Sequence, residues 1–192
     1  MIKRHNERCK DCKKTVEQFL SKIFGSVTPN HNLNLPSRLD EYCDSTFTKD
    51  LAKIHTELQK NRGYENFVRS KKLSPVDFFV PAHGIIVEFD ESQHFSEPRR
   101  IALDNYPDSL ALGYDRSKWI TLCRDLNKKD PDPQCIFRDE QRAWYDTLRD
   151  FAPSKLGLKP VIRIYARELP WCTLNVNSKK DVLLFSQLKG RD

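Results

Sequence analysis

The sequence predicts an α+β fold, a mixed β-sheet carrying helices, and three observations lead there. Two β-rich runs, residues 77–81 and 85–90, are separated only by Ala82-His83-Gly84, which is a hairpin signal. Stretches with apolar residues at helical spacing occur on both sides of that hairpin, at residues 10–24, 47–61 and 138–151. A last β-rich run, residues 161–166, follows the third of these, and such an order needs a sheet with helices packed on it.

In chain order, KDCKKTVEQFLSKIF (residues 10–24) places Val16, Phe19, Leu20 and Ile23 on one helical stripe, with Gly25 as its stop. Residues 26–46, with Pro29, Pro36 and several Asn, read as irregular. In the second helix Leu51, Ile54 and Leu58 form the stripe and Arg62-Gly63 closes it. Residues 67–69 are short and strand-like, and Pro81 requires a strand end or an edge. Residues 96–137 form a polar, Pro-rich insert, with a helix or strand expected around Trp119-Ile120-Thr121-Leu122. Its place beside the hairpin makes it a candidate for substrate recognition. Ala143, Trp144, Thr147, Leu148 and Phe151 share one side of the third helix, which Pro153 and Gly157 are expected to end.

A chain of 192 residues suits a single domain over 1–192, here with an N-terminal arm (1–13) and the insert at about 96–137. Hydrophobic residues make up 38% and charged residues 31%, and no apolar run approaches the ~20 residues that span a bilayer. The N-terminus is basic with no apolar stretch behind it, so no secretory signal is expected and a cytoplasmic, reducing location follows. Six cysteines there read as thiols or metal ligands rather than disulfides. Cys9-x-x-Cys12 is half of a zinc site, with Cys123, Cys135, Cys172 and His5 as candidates for the rest; the alternative is a pair of unligated thiols at a helix start. A net charge of +6 is compatible with a polyanionic partner. Lys3, Arg4, Arg8, Lys10, Lys13 and Lys14 either follow a phosphate backbone or form a solvated end. The three tryptophans, Trp119, Trp144 and Trp171, read as core.

The hairpin carries the chemistry. A two- or four-residue loop centred on Ala82 and His83 puts Asp77 opposite Glu88 on one face. Asp90, two residues on, shares that face, while Val87 and Phe89 point into the core. A three-residue loop would shift the register and separate them. Gln93 and His94 follow at the strand end. Carboxylates gathered on a strand are costly to bury unless a cation neutralises them, and an oxygen-rich set with open positions suits Mg²⁺ or Mn²⁺. The bland alternative is a solvated acidic face paired with Lys and Arg.

VDFFVPAHGIIVEFDESQHF, residues 76–95, resembles the core motif of the PD-(D/E)XK (restriction-endonuclease-like) nuclease superfamily, and is similar to the branch that includes very-short-patch repair endonucleases. Glu17 in TVEQFLSKIFG stands at that branch's first-helix acid, Asp77 at the hairpin Asp, Glu88 and Asp90 at the Glu-x-Asp, and His94 at the His. RDEQRAWYDTLRDF and the strand after it are similar to the branch's last helix and strand. The usual third lysine is absent and Asp90 occupies its place. The resemblance implies a restriction-endonuclease-like mixed sheet flanked by helices, and a metal-dependent endonuclease hydrolysing phosphodiester bonds, most naturally of double-stranded DNA. It implies Asp77 and Glu88 as Mg²⁺ ligands and Glu17, Asp90, Gln93 and His94 as further catalytic residues. Arg138, Arg142 and Arg163 are candidates for phosphate contacts, or for structural pairing such as Arg142 with Asp139 or Glu140. Two other functions remain open: a nuclease fold that binds nucleic acid without cutting it, and a zinc-stabilised interaction protein.

Overall fold

The structure is a computed structural model that describes residues 9–188. Six helices surround a four-stranded mixed sheet: α1 (Lys10–Phe24), β1 (Thr28–His31), α2 (Thr48–Arg62), β2 (Val76–Val80), β3 (Ile85–Asp90), α3 (Glu97–Asp104), α4 (Arg116–Leu126), α5 (Arg138–Leu156), β4 (Lys159–Tyr165) and α6 (Lys179–Leu188). The sheet order is β1-β2-β3-β4, antiparallel up to β3, after which β4 lies parallel to β3. A parallel neighbour requires a crossover, and α3, α4 and α5 supply it.

Helices cover both faces of the sheet. Val16, Phe19 and Leu20 of α1 and Phe185 of α6 pack with Phe78, Val80, Val87, Phe89, Ile162 and Ile164. The apolar sides of α2–α5 pack with Ile86, Val161 and Tyr165. All six residues of β3 are consequently buried. The fold class expected from the sequence is thus present as a mixed α+β sheet between helical layers.

Several elements differ from expectation. Thr28–His31, within the stretch read as irregular, is an edge strand; it is only four residues long and contains Pro29, so it carries no periodic signal. Residues 67–69 form no strand; Phe67 is buried as a single anchor of the core. Pro153 does not end α5, which continues to Leu156. Phe151, Ala152 and Pro153 are buried in the core, and the Pro153 carbonyl accepts the N–H groups of Gly157 and Leu158. Burial and this cap outweigh the one hydrogen bond that proline cannot donate.

The insert is built into the core, and the helix or strand expected around Trp119-Ile120-Thr121-Leu122 is the helix α4. Residues 96–126 are largely helical, and Arg99, Ala102, Leu103, Trp119 and Cys123 are buried against α5 and the sheet. This segment is a layer of the core, not an appendage beside the site. Its start was marked in the sequence by Ser96, which caps α3 by accepting the Arg99 N–H, with Pro98 in the first turn. Gly113 docks the same segment on β4. Its N–H donates to Val161 O at 3.1 Å, and a Cβ built there would stand 2.6 Å from that oxygen. Gly113→Ala is therefore expected to force a backbone shift and to cost about 1–3 kcal/mol of stability, measured by chemical denaturation.

Candidate active site

The hairpin register decides what faces what. Phe78 pairs with Val87, Phe79 with Ile86 and Val80 with Ile85. The turn is the four-residue one, Pro81 to Gly84, with Gly84 in the left-handed conformation (φ 60°) that favours glycine. Continued by one pair, this register sets Asp77 across from Glu88. Asp77 Oδ2 accepts the Phe89 N–H at 2.8 Å, and its Oδ1 takes the Lys13 ammonium from α1. Lys13 was expected only as part of the basic N-terminal cluster, not as a partner of Asp77. Glu17 stands one turn further along α1 and is half-buried.

Glu88 is 6% exposed. Arg149 of α5 approaches its Oε1 at 3.3 Å, yet neither Oε1 nor the Arg149 Nε has a hydrogen-bond partner among the described residues. Burial pushes the Glu88 carboxyl up to about 7, against the opposing pull of Arg149 and with added repulsion from Asp77. A third buried atom without a hydrogen-bond partner, Asp146 Oδ1, belongs to the same helix as Arg149. Three orphaned polar atoms in one network are unusual in a folded interior.

His94 sits in a short 3-10 turn after β3, and its Nδ1 lies 2.8 Å from Asp146 Oδ2. That bond assigns the Nδ1 proton toward Asp146 and leaves Nε2 as the atom able to give or take a proton. Burial disfavours the charged ring, but the Asp146 carboxylate outweighs it and His94 titrates above its ordinary value. Asp146 is held well below the usual carboxylate range: burial acts to raise it, and His94 and Arg163 overcome that.

Beneath this pair lies a closed ion network. Arg163 of β4 donates to Asp90 Oδ1 and to Asp150 Oδ1, both at 2.7 Å, and to the Asp146 carbonyl at 3.1 Å. Trp119 Nε1 donates to the other Asp90 oxygen at 2.8 Å. Asp150 Oδ2 further accepts from Arg99 (2.6 Å), Tyr106 and Tyr114 (both 2.8 Å). These groups are effectively unexposed, so the charges persist only because each is paired.

This geometry sorts the expected residues. Asp77 and Glu88 face each other across the hairpin, and His94 is linked to Glu88 through Asp146 and Arg149. Asp90 is corrected to a structural role, because it is buried with both oxygens held by the interior groups Arg163 and Trp119, whereas Asp77 is partly exposed. Arg163 is corrected likewise: its side chain is wholly buried and cannot reach a phosphate. Gln93 is exposed and its side chain donates to Glu91, while its carbonyl accepts from Arg142. Arg142 also pairs with Asp130 (2.9 Å) and Asp139 (3.5 Å), so it braces the turn before His94. Arg138 is more exposed and pairs with Asp132 on the adjoining loop.

Cys9, Cys12 and Cys172 form a separate cluster, with their ligand atoms all within 4.8 Å of one another, and could hold a metal such as zinc. Of the other proposed ligands, Cys123 is buried in the α4 core, Cys135 lies on the loop before α5, and His5 falls outside the described residues.

Asp146, Arg149, Asp150 and Arg99 were not anticipated. One signal pointed to the first three. Asp139, Arg142, Asp146, Arg149 and Asp150 recur at three- and four-residue spacing beside an apolar stripe, which is the pattern of a helix buried on more than one side. Set against protein-family models, curated proteins and solved structures, the chain matches none of them. Fold and site together define an α+β protein with a charge network buried between sheet and helix, opening onto a carboxylate pair. No described helix is long and apolar enough to cross a membrane.

Proposed function

We propose that this chain is a metal-dependent phosphodiesterase of the PD-(D/E)XK kind, acting on DNA. The observation that carries the reading is the cross-strand pair of Asp77 and Glu88, the latter with an Oε1 that has no hydrogen-bond partner, joined through Arg149 and Asp146 to His94. The donor set fits a hard divalent cation: two carboxylates, one of them buried with an oxygen that lacks a hydrogen-bond partner. When bound, such a cation neutralises charge on a phosphate and lowers the pKa of a water. Asp77 and Glu88 would hold it, and the Phe89 N–H keeps the Asp77 carboxylate in place. His94 Nε2 transfers the proton, with Asp146 orienting the ring. Asp90 is not available to activate water, and the ammonium beside the carboxylates comes instead from Lys13 on α1. Glu17 lies on the same helix, one turn away. Arg138, and the basic residues Lys10 and Lys14, are the remaining candidates for phosphate contacts.

The test is cleavage of supercoiled plasmid in Mg²⁺ or Mn²⁺, beside Glu88→Gln and EDTA controls. Nicking lost in both controls supports the reading. Retention of nicking by Glu88→Gln overturns the site.

A second expectation needs no substrate. Without divalent cation, Glu88 keeps its proton in the folded state up to about pH 7, whereas the unfolded chain loses it near 4.5. The folded protein then binds more protons across that window, so stability is full below the lower value and falls as pH rises through the upper one. The loss is about 3 kcal/mol, taking about 1.4 kcal/mol per pKa unit. Glu88→Gln should flatten this slope in thermal melts between pH 5 and 8. Added Mg²⁺ should raise the melting temperature of the native sequence at pH 8 and leave the variant unmoved. An equal shift in both would place the cation elsewhere.

A further inference from the structure

Cys9 and Cys172 lie near opposite ends of the described chain, yet the fold brings them to one point with Cys12. Cys9 is the N-cap of α1 and Cys12 sits in its first turn; Cys172 comes from a 3-10 turn, Trp171–Thr173, that follows β4. The local backbone already turns as a ligand knuckle requires. Cys12 N–H donates to the Cys9 carbonyl at 3.0 Å, and Cys172 N–H donates to the Cys12 Sγ at 3.1 Å. An N–H aimed at sulfur stabilises a thiolate, and the helix N-terminus favours negative charge at Cys9. No disulfide joins the three. Sulfurs around a tetrahedral zinc with bonds of about 2.3 Å stand about 3.8 Å apart, within the 4.8 Å that bounds this cluster. Trp171, beside Cys172, is fully buried and packs edge-on against Phe89 and Phe185, so the third ligand rides on an anchored turn.

We propose that Cys9, Cys12 and Cys172 bind one zinc ion as a thiolate centre that staples the start of α1 to the corner after β4. Each coordinating thiol releases its proton to solvent as the Zn–S bond forms, and no electron transfer is involved. Zinc fits better than magnesium because thiolates are soft ligands. The staple joins residues that lie near opposite ends of the described chain, and its binding free energy adds to the stability of the folded state while it holds α1. Cys12 is followed directly by Lys13, the residue that reaches Asp77, so the same ion sets the end of the helix that reaches the carboxylate pair. That last consequence rests on the nuclease reading; the zinc centre does not.

The experiment uses the full chain and no nucleic acid. Protein purified without chelators should contain about one zinc per chain. Cys172→Ser and Cys9→Ser should lose it, while Cys43→Ser and Cys135→Ser keep it. Metal-free native protein titrated with Co²⁺ should develop thiolate-to-cobalt charge-transfer absorption, a readout that needs no variant to fold. Zinc should raise the melting temperature, and Mg²⁺ should not substitute. Protein that holds no zinc and gives no cobalt–thiolate band overturns the proposal, as does full zinc retention by Cys172→Ser. Failure of plasmid cleavage would leave these readouts untouched, so the two readings fail separately.

Discussion

Asp150→Ala is expected to unfold the protein or to reduce its stability by about 3–5 kcal/mol, the range for removing one partner of a buried ion pair. Asp150 accepts from the buried Arg99, Arg163 and Tyr106 and from the partly buried Tyr114. Its carboxyl lies below the usual range: burial acts to raise it, and the two guanidiniums outweigh that. Alanine would leave Arg99 without a carboxylate partner, Arg163 with only Asp90 and Asp146, and two phenols without their acceptor. Asp150→Asn keeps the shape and loses only the charge, so it should be hurt less. Urea denaturation of both variants beside the native sequence decides. A cost below about 1 kcal/mol for alanine would mean that water replaces the carboxylate, and that the network is not what holds α3, α5 and β4 together.

Asp77→Ala should behave oppositely: the fold survives and cleavage disappears. Its side chain is partly exposed, so the structural loss is mainly one hydrogen bond from Phe89, a cost of about 1–3 kcal/mol. Loss of a residue that merely orients a metal ligand costs 10–100-fold, so loss of a ligand itself should cost at least about 100-fold in rate. Plasmid affinity measured in EDTA should change little, because the residues proposed to contact phosphate, Arg138, Lys10 and Lys14, are elsewhere. Native cleavage rates in Asp77→Ala would sink the assignment. Unchanged DNA binding with no cleavage even in the native sequence would support instead a nuclease fold that only binds.

How much of this was legible depended on how local the signal was. The apolar stripes of α1, α2 and α5 and the hairpin around Gly84 were readable because helix and strand periods act within a few residues. The facing of Asp77 and Glu88 was readable too, given a turn of even length. The network was not. Asp90, Arg163 and Arg142 looked like site residues because a charged side chain at the right spacing says nothing about which partner will neutralise it. Arg163 lies opposite Glu88 in the parallel β3–β4 register, and a parallel register is set by a long crossover rather than by a turn. The insert misled for a related reason: α3 is short, opens with Glu97-Pro98-Arg99-Arg100, and hides its arginine by pairing it rather than by being apolar.

The sequence by itself determined α1, α2, α5, the hairpin, the last strand and the carboxylate pair, since these follow from period, turn chemistry and spacing along a few residues. Only the tertiary structure decided that Asp90 and Arg163 neutralise each other, that Asp146 braces His94, and that Cys172 is the cysteine that meets Cys9 and Cys12. Those pairings join residues up to 163 positions apart, and electrostatic energy depends on distance in space and on desolvation, neither of which the order of residues records.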